Sequence, residues 1–96
     1  MKTLTRHMTT PPGDMVGRPL TERQREVVAL IATGCSNQEV GEQLGITART
    51  AKAHSDAVRQ KLGVRRRRQI PAAYFLLTGE DPLQRGLAAG LRRRGA

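Results

Sequence analysis

Aromatic side chains are nearly missing from this chain of 96 residues: it has one tyrosine, one phenylalanine and no tryptophan. Tyr74 and Phe75 are also sequence neighbours. Binding single-stranded nucleic acid by stacking needs several exposed rings, so that mode is disfavoured. The single cysteine, Cys35, allows no internal disulfide and fits a reducing compartment. No apolar run approaches the roughly 18 residues of a membrane span. The opening "MKTLTRHMTTPPGD" has no apolar stretch after its basic residues, which argues against a secretory signal. A cytoplasmic protein is expected. Acids are scarce too, eight against 17 lysines and arginines, giving a net charge of +9. Such an excess points to an anionic partner, nucleic acid ahead of a membrane surface.

Catalytic groups are equally thin. His54, Ser55 and Asp56 supply the residue types of a hydrolase triad, but successive helix residues point about 100° apart and cannot converge. Cys35, His7 and His54 lack ligand-like spacing for a metal, and no phosphate-cradling glycine motif occurs. We therefore expect no enzyme, no metal and no cofactor. Cys35 reads as a small hydrophobe at a turn.

What remains is a chain long enough for one small domain with tails. Its charge is unevenly spread. Residues 20–64 hold six basic and five acidic side chains, close to balance. The excess lies in the run Arg65–Arg68, in Arg92–Arg94 and in the N-terminal 19 residues. Those first residues, 1–19, are rich in proline, glycine and threonine and read as a flexible arm.

The folded part is read as all-α over residues 20–79. In "LTERQREVVALIATG", Thr21 with Gln24 is a capping-box pattern, Leu20 can staple it, Val27, Leu30 and Ile31 share a face, and Gly34 stops the helix. "SNQEVGEQLG" repeats that grammar with Ser36, Glu39, Val40, Leu44 and Gly45. Gly41 inside it costs about 1 kcal/mol against alanine, which suggests a close approach by another element. A turn of "GIT" leads to a third helix with Thr47 as cap, an inner stripe of Ala51, Ser55 or His54, Val58 and Leu62, and Gly63 as stop. Short helices joined by a glycine-containing turn form a helix-turn-helix. A fourth helix is placed over Ile70–Thr78, with Ile70, Ala73, Tyr74 and Leu77 inward, Pro71 tolerated in the first turn and Gly79 as stop. Residues 80–96 form a basic extension, in which Asp81, Pro82 and the leucines at 83, 87 and 91 suggest a short fifth helix.

The outer face of the third helix carries Arg49, Lys52, Ala53, Asp56 and Gln60. A major groove admits one helix, whose N-terminal residues reach base edges. Lys52 can donate to guanine O6 and N7, and the Ala53 methyl can meet a thymine methyl. Arg49 and Thr50, near the helix start, suit phosphate. Arg65, Arg66, Arg67 and Arg68 would add salt-sensitive phosphate contacts.

The stretch "LTERQREVVALIATGCSNQEVGEQLGITARTAKAHSDAVRQKLGV" resembles the LuxR-type (NarL/FixJ) helix-turn-helix domain of bacterial transcription regulators. "LTERQREV", "GCSNQEVGEQLGI", "TAKAH" and "KLGV" carry the resemblance, which extends over residues 20 to about 79. It implies a four-helix domain whose third helix enters the major groove and whose fourth helix forms a dimer contact, here Ile70, Tyr74 and Leu77. It also implies base reading by Lys52, Ala53 and Asp56, and phosphate holding by Asn37, Thr50 and Lys61. Family members usually have valine at Ala51, an aliphatic at Ser55 and alanine at Gly41, so a thinner core is expected. Pro71 falls where they run an unbroken fourth helix, and Asp56 replaces a basic or neutral residue.

Many members carry a sensing domain ahead of this one, which needs about 100 residues or more. With 19 residues before Leu20, the chain is similar to stand-alone members. The expected function is sequence-specific binding of double-stranded DNA as a homodimer, to regulate transcription. An adaptor acting through RNA polymerase or another regulator, with weak DNA contact, is the alternative. A sigma-factor region-four module shares "ERQREV", but "KLGV" speaks against it. Asp56 has three candidate roles: a solvated side chain paired with Lys52 or Gln60 four residues away, an acceptor from cytosine N4, or a repulsive charge that weakens non-specific binding.

Overall fold

The first helix starts where the capping box requires. In a computed structural model, which describes residues 15–84, the Thr21 hydroxyl accepts from the Gln24 N–H at 3.1 Å, and Gln24 Oε1 accepts from the Thr21 N–H at 3.0 Å. This reciprocal pair satisfies two N–H groups that a helix start leaves open. Helix α1 then runs Glu22–Ala32. Helix α2, Asn37–Leu44, begins with the same device built from Ser36 and Glu39 and ends at Gly45, whose φ of 72° is left-handed. Thr47 caps α3, Ala48–Leu62, which Gly63 ends at φ 71°. A 3₁₀ turn, Arg67–Gln69, leads into α4, Ile70–Thr78, with Pro71 in its first turn. There proline removes no helical hydrogen bond, so α4 runs unbroken despite it. No strand occurs among the described residues, and none of the helices is long and apolar enough to cross a membrane.

The core is built where the apolar stripes meet. Val27, Val28 and Leu30 of α1, Val40 of α2, Ala51 and Val58 of α3, and Ile70 and Tyr74 of α4 are all buried. Helix α1 packs on α3 and α4, while α2 packs chiefly on α3. Cys35 is buried at the turn after α1, as expected of a small hydrophobe. Ser55, not His54, takes the inner position of α3, and its hydroxyl donates to the Lys52 carbonyl at 3.0 Å. That bond makes a polar group tolerable where an aliphatic would otherwise pack.

Gly41 answers the close-approach expectation, with turn backbone as the approaching element. A Cβ at this position would lie 2.6 Å from the Ile46 carbonyl oxygen and 3.1 Å from the Thr47 carbonyl carbon. The chain entering α3 therefore runs directly over α2, and the Ile46 N–H donates back to the Gly41 carbonyl at 2.9 Å.

Two ends differ from the sequence expectation. Residues 17–19, assigned to the arm, are tied to the last turn of α3 by Gly17 N–H to the Lys61 carbonyl at 2.9 Å. Past α4, the Asp81 carboxylate accepts from the Leu83 N–H at 3.0 Å at the start of a helical turn. The rest of the expected fifth helix, with Arg92–Arg94, lies outside the described residues, as does His7.

Candidate nucleic-acid interface

Burying Ala51, Ser55 and Val58 fixes which side of α3 faces outward, because helical residues repeat about every 3.6 positions. Arg49, Thr50, Lys52, Ala53 and Gln60 are exposed, and Asp56 is half-buried between them. Lys52, Ala53 and Asp56, the expected base readers, therefore share one outward surface. Arg65, Arg66 and Arg68 are exposed just past the end of the same helix. Arg49 has no hydrogen-bonding or ionic partner among the described residues and stands free as a cation.

Asp56 is far from idle in this surface. Lys52 Nζ donates to its Oδ2 at 2.9 Å, and an Arg59 Nη donates to its Oδ1 at 2.6 Å. The other Arg59 Nη donates to the Arg65 carbonyl at 3.0 Å, linking the acid to the start of the arginine run. Hydrogen bonds from Lys52 and then Arg59 hold the Asp56 carboxyl below its ordinary value of 3.8. The folded-state value is thus lower than the unfolded one. The pair's stabilisation is complete above the unfolded value and is lost as pH falls through the folded one. An acid titration followed by the Asp56 carboxyl carbon resonance should give a midpoint under 3.8 that rises in Lys52→Ala. An unchanged midpoint in that variant would show that the contact is not made in solution.

Four expected site residues are deployed differently. Lys61 was expected to hold phosphate, but it is buried, with Nζ donating to the Pro19 carbonyl at 2.9 Å and to Gln24 Oε1 at 2.8 Å. It follows Val58 by three residues, about 60° around the helix, which puts it on the inner flank. Ile70 and Tyr74, expected at a dimer contact, are 0% and 1% exposed and belong to the core. The Tyr74 hydroxyl donates to Glu80 Oε1 at 2.5 Å. Arg67 turns inward, donating to Asn37 Oδ1 and to the Cys35 carbonyl at 2.7 Å. Partial burial lowers its pKa from the usual arginine value. Arg67 thereby staples the turn before α2 to the turn after α3, through the Asn37 Oδ1 and the Cys35 carbonyl.

Leu77, the third expected dimer residue, is exposed, as are its neighbours Phe75 and Leu76. Val16 is exposed beside them and lines a shallow groove with Leu62, Ala73, Leu76 and Leu77. Arg59 is the site residue that sequence reasoning missed. Its signal was the three-residue spacing after Asp56, which brings two side chains together on a helix.

Similarity to known proteins agrees with this geometry. The family described as bacterial regulatory proteins, luxR family, matches residues 18–72. The transcriptional regulatory protein MctR of Rhizobium johnstonii is 48% identical over 46 residues, which are 48% of this chain and 22% of that protein. LiaR of Bacillus subtilis, also a transcriptional regulatory protein, is 46% identical over 50 residues, 52% of this chain and 24% of its own. The HTH-type transcriptional regulator MalT of Yersinia pestis is 41% identical over 51 residues, 53% of this chain and 6% of its own. The chain thus spans no more than 24% of the length of these relatives. No solved structure matches it. With its all-helical fold and a match across α1, α2, α3 and the start of α4, the chain belongs to the luxR family of bacterial regulatory proteins.

Proposed function

We propose that the protein regulates transcription by binding double-stranded DNA sequence-specifically, with α3 in the major groove. One observation carries the reading: Lys52, Ala53 and Asp56 share the outward face of α3, with Arg49 free at its start and three exposed arginines beyond its end. Side chains that can read base edges are flanked by side chains that can hold phosphates. The amino end of α3 adds its dipole to the attraction for anions. Such a protein works in the cytoplasm, at the chromosome.

A homodimer reading two-fold related half-sites about one helical turn apart fits the same arrangement. Phe75, Leu76 and Leu77 on α4 supply an apolar surface for the partner copy. Selecting bound duplexes from a random pool at physiological salt should enrich a two-fold symmetric sequence. An unenriched pool would sink the proposal, and an enriched asymmetric site would remove the dimer from it. On the enriched duplex, Lys52→Ala should weaken binding by about 1–3 kcal/mol and relax preference at one base pair. A binding isotherm equal to that of the unaltered protein would take Lys52 out of base reading.

The ion pairs around Asp56 favour a second reading. They engage Lys52 and Arg59 within the helix itself, so that fewer cations of α3 stand ready for phosphate, as suits an adaptor that acts through RNA polymerase or another regulator and touches DNA weakly. Co-purification with polymerase, together with an unenriched pool, is the result that would select it.

A further inference from the structure

Asp56 spends both carboxylate oxygens on cations from its own helix, one on Lys52 and one on Arg59. The cluster is open to solvent: the side chains of Lys52, Asp56 and Arg59 are 65%, 34% and 31% exposed. It contributes nothing to the core, and exposed ion pairs stabilise a fold weakly. Its position says more. Lys52 lies on the surface offered to DNA, and Arg59 reaches from there to the carbonyl that begins the arginine run. One acid therefore sets where two cations of that surface point.

Any duplex that approaches α3 competes with Asp56 for those cations. On an arbitrary sequence, phosphates can draw Lys52 and Arg59 away, but the bared carboxylate then faces a polyanion with no partner, which is unfavourable. On a sequence offering guanine O6 and N7 to Lys52 and a cytosine N4–H to Asp56, both groups regain partners in the groove. We propose that Asp56 is a specificity-determining residue: an internal anion that keeps Lys52 and Arg59 from non-specific DNA and releases them where base edges take its place. This rests on the DNA-binding reading above. Discrimination by a penalty on the wrong partner is as effective as an added contact to the right one.

The test uses the full chain and its Asp56→Asn variant, which removes the charge and keeps the shape. Each is titrated against the enriched duplex and against a scrambled duplex of equal length, over a range of salt concentrations. For the scrambled duplex, binding by Asp56→Asn should tighten about tenfold, and its salt slope should steepen by roughly 0.9 for each cation newly placed on a phosphate. The enriched duplex should gain less or lose affinity, so the ratio between the two falls. In a Lys52→Ala background the gain on the scrambled duplex should shrink.

Equal tightening on both duplexes overturns the proposal, since Asp56 would then repel DNA without discriminating. No change on either marks a solvated pair and overturns it too. Loss on the enriched duplex alone, with the scrambled one unmoved, likewise overturns it and leaves Asp56 a plain base contact. Failure of the underlying DNA-binding reading is seen separately, and earlier: the unaltered protein would then bind no enriched duplex better than the scrambled one, and the proposal would fall with it.

Discussion

Replacing Ile70 with alanine should lower the unfolding free energy by about 2–5 kcal/mol, whatever the protein concentration. Ile70 is fully buried in the cluster shared by α1, α3 and α4, so truncation leaves a cavity where helices meet. A domain of this size has roughly 5 kcal/mol to lose, and much of the variant should be unfolded in dilute buffer. Leu77→Ser, seven residues on in the same helix, should behave oppositely. Leu77 is 56% exposed, so the fold should change by about 0.5 kcal/mol or less, while self-association weakens. Urea unfolding at two protein concentrations, with sedimentation equilibrium, separates the two. If Ile70→Ala kept its stability and lost only self-association, Ile70 would face a partner in solution and the fold of α4 would need revision.

Gly41→Val, at a buried position of α2, should badly damage the helix-turn-helix itself. A Cβ at position 41 would lie 2.6 Å from the Ile46 carbonyl oxygen, and the obstacle is backbone that cannot rotate aside. Forcing volume into such a contact typically costs about 1–3 kcal/mol, and a β-branched residue adds two methyl groups with little rotamer freedom in a helix. Alanine gains about 1 kcal/mol of helix propensity over glycine, which partly offsets the first methyl. The expected order of stability is glycine, then alanine, then valine. Ile46 and Thr47 also start α3, so displacing them should reduce DNA affinity more than loss of folded protein alone explains. A valine variant with the midpoint of the unaltered protein would show that the turn has room to move.

Much of this fold was legible because its punctuation is local. Thr21 with Gln24, Ser36 with Glu39, and the glycines at 45, 63 and 79 act within a few residues of where they stand, and all five signals mark helix ends in the structure. The outward face of α3 was legible as well, since periodicity alone opposes Lys52 and Ala53 to Ala51 and Val58. Where a charged side chain ends was not. Lys61 and Arg67 carry the same formal charge as Arg49, and in sequence all three suit phosphate. Two of them turn inward because carbonyl and amide oxygens 30 to 42 residues away are left to satisfy: those of Pro19 and Gln24 for Lys61, and of Cys35 and Asn37 for Arg67. No local pattern announces such a pairing. For α4 the difficulty was different. Ile70, Tyr74 and Leu77 share a helical face by spacing, but α1 and α3 cover only the first two.

The latch between residues 17–19 and Lys61 gives the domain an internal clock for local opening. Gly17 donates to the carbonyl of Lys61, and the ammonium of that residue donates to the carbonyl of Pro19, so both ends of Lys61 grip one short segment. Hydrogen exchange at the Gly17 amide then requires this grip to open, and its rate tracks the excursions of the final turn of α3. A force applied to the chain ahead of Gly17 reaches that turn directly, without crossing the core. Helix α3 is held at its far end like a lever at its hinge.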